Sequence, residues 1–69
     1  MAKAVGDQEL AVLRYVAEHG PATVGEVAER YGEAQGLARS TILTVMERLR
    51  AKGHLTRGKV DGVYQYASP

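Results

Sequence analysis

Arg39, Ser40, Thr41, Leu43, Thr44 and Arg48 stand close together in the chain, and their side chains suit contact with a polyanion that carries readable edges. Serine and threonine hydroxyls bond either base edges or phosphate oxygens, an apolar tip such as Leu43 fits a thymine methyl, and arginine meets phosphate. No comparable set exists for covalent chemistry. The chain has no cysteine and only two histidines, with neither metal-ligand spacing nor a glycine-rich phosphate loop. His19 lies in the last turn of a helix, where a cation-capable side chain has a local explanation. Glu26, Glu29 and Glu33 read as solvated helix surface, since nothing near them supplies a nucleophile or an oxyanion site. An enzyme is therefore not expected, and no metal, cofactor or small-molecule ligand is indicated.

The elements that must hold these residues follow from periodicity. Ile42, Val45, Met46 and Leu49 recur at i, i+3, i+4 and i+7, which predicts a helix over about 39–52 with one buried stripe. Ser40, Thr44, Glu47 and Ala51 fall opposite that stripe, and Leu43 and Arg48 on its flanks, so the outer face is small enough to enter a groove. An ordinary surface helix shows the same stripe. Ser40 is chemically the better cap, whereas a start at Ala38 places Arg39 on the helix, and both starts stay open. Gly53 serves as the stop.

Upstream, Asp7 or Gly6 caps a first helix over about 7–19, with Leu10, Leu13, Ala17 and Val16 as its core face and His19-Gly20-Pro21 as its end. Residues before it lack periodicity and are expected to fray. Thr23 and Glu26 form a capping box that opens a second helix over about 24–35. Its stripe is Val24, Val27, Ala28 and Tyr31, with Glu26 and Arg30 paired at i, i+4. Gly32 interrupts this helix, the pattern resumes to Gln35, and Gly36 is the left-handed cap.

After Gly53 the period changes to two, and Asp61-Gly62 predicts a hairpin over about 55–67. Tyr64 and Tyr66 share one strand face and are expected to pack on the helices with their hydroxyls at the rim. Arg57 and Lys59 share a face of the preceding strand, toward the hairpin tip. Three helices and a hairpin make a mainly α fold with a small β-hairpin, a winged helix-turn-helix, to which Pro21-Ala22-Thr23 adds a third short strand.

Length and charge agree with one small DNA-binding domain over residues 1–69. The 69 residues carry a net charge of +1. Three bases and six acids give residues 1–36 a charge of −3, while six bases and two acids give residues 37–69 a charge of +4. A polyanion meets the second half and is repelled by the first, which fixes its orientation. No apolar run is long enough for a membrane span or a signal peptide, and a cytoplasmic protein is expected.

The wording of the chain resembles the penicillinase-repressor family of bacterial winged-helix regulators, which includes β-lactam-resistance and copper-responsive repressors. The resemblance rests on Glu9 to Leu13, Gly20 to Val24 with Glu26 to Ala28, Ser40 to Leu49, Lys52-Gly53, and Tyr64 to Pro69, in the family's order and spacing. It implies a transcriptional repressor that binds double-stranded DNA at a palindromic operator as a homodimer. The family's recognition positions fall on Arg39, Ser40, Thr41, Leu43 and Thr44 for bases, with Arg48 near the backbone and Arg57 and Lys59 as wing bases. From the residues alone, Arg39 is instead a phosphate contact. Arg39, Arg48, Arg57 and Lys59 as four such contacts give a slope of log affinity on log salt of roughly −3 to −4. Two departures stand out: Tyr15 or Val16 replaces a tryptophan common in the family, and the family's helical dimerisation region is absent after Pro69. An isolated DNA-binding domain or a short relative is expected on that ground. The competing reading is a winged-helix protein-interaction module that uses the Tyr64 and Leu43 surfaces and never meets DNA.

Overall fold

Thr23 opens the second helix in the way its spacing from Glu26 requires. Its Oγ1 accepts a hydrogen bond from the Glu26 amide at 3.1 Å, and the Glu26 carboxylate accepts one from the Thr23 amide at 2.9 Å. Two donors that a helix start leaves without partners are thereby satisfied. The anticipated pair with Arg30 does not form, because this carboxylate is engaged at the cap.

The computed structural model describes residues 7–69; the expected fraying and the Gly6 cap lie outside them. Helix α1 spans Asp7–His19. Helix α2 covers residues 24–35, with a π turn, Ala28–Gly32, between Val24–Val27 and Glu33–Gln35. Helix α3 spans Arg39–Ala51, and strands β1, Thr56–Val60, and β2, Val63–Ala67, form the hairpin. This is the expected mainly α arrangement of three helices and a wing.

α1 is rotated from its expected setting. Val12 and Val16 are fully buried and Glu9 is 8% exposed, while Leu10 is 46% exposed and Ala17 also faces out. Only Val16 and, in part, Leu13 of the anticipated stripe pack on the core. The deciding contact lies far along the chain, where the Lys52 ammonium reaches the Glu9 carboxylate at 2.9 Å. A paired carboxylate tolerates burial that an unpaired one does not. His19 donates from Nδ1 to the Tyr15 carbonyl at 3.0 Å and stacks on the Tyr15 ring, which accounts for it locally. Gly20, at φ +80°, then ends the helix.

Gly32 does not interrupt α2. Its φ of −62° is helical, and the wider π turn carries it into contact with α3. A Cβ there would stand 3.2 Å from the Leu37 carbonyl oxygen and 3.3 Å from Ile42 Cγ1, so the missing side chain allows the two helices of the helix-turn-helix to approach. Gly36, at φ +69°, closes the helix in the left-handed region as expected. Ala38 is the N-cap residue of α3, with no side-chain cap. Ser40 is accordingly inside the helix and free to face outward.

Ile42, Val45, Met46 and Leu49 are buried as their spacing predicts, and they meet Val12, Val16, Val27, Leu55 and Tyr66 in the core. Leu55 belongs to that core rather than to β1. The hairpin turns at Asp61 and Gly62, both at positive φ, in register Val60 with Val63. The third strand is reduced to one bridge, in which Ala22 and Tyr66 exchange backbone hydrogen bonds of 2.9 and 2.8 Å.

Candidate nucleic-acid interface

α3 presents its small residues outward because the core stripe fixes its rotation. Arg39, Ser40, Leu43 and Thr44 are exposed and Thr41 is half-buried. The Thr44 hydroxyl donates to the Ser40 carbonyl at 3.0 Å, which fixes its rotamer and leaves its oxygen lone pairs outward as acceptors. Arg39 lies at the start of the helix beside Gly25, whose missing Cβ would stand 3.7 Å from the guanidinium. Between Arg39, Leu43, Val24 and Tyr64 a shallow cleft of about 290 Å³ separates α3 from the wing.

The sequence-predicted cations divide into two kinds. Arg39 and Lys59 have no carboxylate partner among the described residues. Arg48, 66% exposed, stands 3.9 Å from Glu9, a distance at which its charge is only lightly engaged. Arg57 differs from these, for its Nη1 donates to Glu47 Oε2 at 3.1 Å. Its guanidinium also covers the Tyr64 ring at 4.3 Å, with Lys59 at 5.6 Å from the same ring. The register pairs Arg57 with Tyr66 and Lys59 with Tyr64. All four side chains therefore share one face of the hairpin.

The residue that organises this face is Glu47. On the sequence alone it lies on the outer side of the helix, but the wing half-covers it. Arg50 Nε and Nη2 both donate to its Oε1, at 3.1 and 2.9 Å. Arg57 and the Tyr66 hydroxyl both donate to its Oε2. These hydrogen bonds, Arg50 first and Tyr66 second, lower its pKa from the ordinary 4.5 to about 2. Burial, and then the bond to this carboxylate, pushes the Tyr66 phenol upward. Tyr66 thus packs on the helices as expected, whereas Tyr64, 47% exposed, instead serves as a platform for the two wing cations.

One signal for this cluster was available. An Asp-Gly turn implies the register, and the register places Arg57 and Lys59 across from the tyrosines. That Glu47 closes the set depends on how the wing leans on α3, which spacing does not encode.

The sequence profile of the family described as Penicillinase repressor matches residues 5–69. The chain belongs to the penicillinase repressor family. Its fold is similar to one described as the solution structure of the DNA binding domain of the repressor BlaI, with a TM-score of 0.83 and 28% sequence identity. The likeness covers 99% of this chain and 85% of that one. No curated protein matches the chain. Family and fold are those of a DNA-binding transcriptional repressor, which is not an enzyme class. Among the described residues no helix is long and apolar enough to cross a membrane.

Proposed function

We propose that residues 1–69 are a single domain that binds duplex DNA sequence-specifically and represses transcription from an inverted-repeat operator, one copy on each half-site. α3 enters the major groove, where Arg39, Ser40, Thr41, Leu43 and Thr44 face the base edges. Arg48 on one flank and Lys59 on the wing meet the phosphates, with Arg57 beside Lys59 compensated by Glu47. The observation that carries this reading is the placement of small, hydroxyl-bearing residues on the outer face of α3 with cations on both flanks. The likeness to the DNA binding domain of a repressor supports it.

Pairing within the domain alters the expected electrostatics. With Arg39 turned to the bases and Arg57 compensated in part by Glu47, the phosphate contacts that release counterions fall from four to between two and three. The slope of log affinity on log salt is then about −2 to −3 per domain. One copy binds a half-site at about micromolar concentration, since the second half-site's contribution is missing.

Selection of bound duplexes from a randomised pool, with affinity followed across a salt series, tests the reading. Enrichment of a half-site that recurs as an inverted repeat, with a slope in the stated range, supports it. No enrichment together with a flat slope overturns it in favour of a protein-interaction module.

A further inference from the structure

Glu47 occupies an unusual place for an acid. It lies midway along the helix that faces the groove, between Thr44 and the wing, where a free carboxylate would repel phosphate or accept from a cytosine amino group. Both its oxygens are engaged instead, Oε1 by Arg50 and Oε2 by Arg57 and Tyr66. A carboxylate has about four acceptor sites, and four donors fill them here. It therefore has no lone pair left with which to read a base. It also sits within ion-pair distance of two of the six cations in the basic half of the chain.

We propose that Glu47 is a positioning residue for DNA discrimination: it sets the wing against α3 and withholds Arg50 and Arg57 from the phosphates, trading sequence-independent affinity for specificity. Sequence-independent binding scales with the number of cations that displace counterions. An internal carboxylate that neutralises two of them lowers this background without touching the base-reading face. The same bonds anchor the wing at Arg57 on β1 and Tyr66 on β2, so Tyr64 and Lys59 keep a fixed distance from α3. A wing held in one place meets the backbone in only one register of the helix in the groove.

This proposal rests on the DNA-binding reading above. The probes are a half-site duplex selected by the wild-type domain and a scrambled duplex of the same composition, each titrated across a salt series with wild type and with Glu47→Gln. Glu47→Gln is expected to steepen the salt slope by about one unit. It should bind the scrambled duplex several-fold more tightly at low salt, and the selected-to-scrambled affinity ratio should fall about tenfold. A purely structural role would weaken both duplexes at the wild-type slope, and that result overturns the proposal, as does an unchanged ratio.

Arg50→Gln and Lys59→Gln keep the test decisive where Glu47→Gln fails to fold. Loss of the already compensated Arg50 should change the slope by less than half as much as loss of Lys59, and equal changes overturn the proposal. A wild-type domain that binds neither duplex in a salt-dependent way removes the DNA-binding reading itself, and is recognisable as such before any variant is compared.

Discussion

Two carboxylates hold α3 to its neighbours, and they do so by different means. Glu9 reaches from α1 and is almost fully covered, yet its partners Lys52 and Arg48 keep much of their surface in solvent. Glu47 lies on α3 itself, is about as exposed as Arg57, and is enclosed by donors from its own helix and from both strands of the wing. The α1 clamp therefore fixes the body of the domain and leaves Arg48 facing outward. The wing clamp fixes a small element whose strands contribute, among the described residues, only Tyr66 to the core around it, and consumes a cation in doing so. Charge that holds the fold and charge that meets a ligand are separable on the first flank and shared on the second.

The largest effect on stability is expected at the buried clamp. Glu9→Ala should lower unfolding free energy by about 1–3 kcal/mol, less than for a fully buried pair because Lys52 can return to water. Urea titration of the variant measures it, and a loss no greater than that of an exposed pair would place both clamps in one class.

Acid should weaken the wing clamp. The pKa of Glu47 is about 2 against an ordinary 4.5, so the ionised group stabilises the fold above about pH 4.5, and that contribution is lost as pH falls through 2. Discounted for solvent at a part-exposed site, its size is about 1–2 kcal/mol. Comparison of wild type with Glu47→Gln in urea between pH 2 and 6 isolates it. The difference should shrink toward low pH, and a constant difference would show that the charge of Glu47 is not what holds the wing.

Tyr66→Phe removes one hydroxyl from the wing clamp and leaves the buried ring in place. A loss of about 1 kcal/mol is expected, with the same acid dependence reduced in size. Arg48→Ala should be the mildest for stability, under about 0.5 kcal/mol for an exposed and distant pair, while flattening the salt slope on DNA by about one unit. If Arg48→Ala instead destabilises as much as Glu9→Ala, charge for the fold and charge for the ligand are shared on the first flank too.

How much of this was legible in the sequence differs between the same two regions. The stripe of α3, the Thr23 capping box and the Asp61-Gly62 turn depend on neighbours within a few residues, and each stands where the spacing places it. The rotation of α1 did not follow in this way. Val16 fits a stripe with Leu10, Leu13 and Ala17 and equally one with Val12, and the choice is made by Lys52, distant in sequence, which allows Glu9 inward. Gly32 reads as a breaker until the π turn and the closeness of Ile42 give its missing side chain a packing role. At the candidate interface, residue types and helix face were legible from Arg39 to Thr44. The state of each cation was not, since whether Arg57 is free or paired depends on the lean of the wing over Glu47.

In the proposed complex the outer face of α3 reads bases while the wing and flanks hold the backbone. The most direct test of this arrangement is the selection from a randomised duplex pool, run in parallel with wild type and Thr44→Val, a substitution that keeps shape and removes the hydroxyl. The selected half-site should change at one or two adjacent positions, by about 1–3 kcal/mol in preference, with the salt slope unchanged. An identical half-site at unchanged affinity would contradict the account, because Thr44 would then face no base and α3 would be docked in some other way.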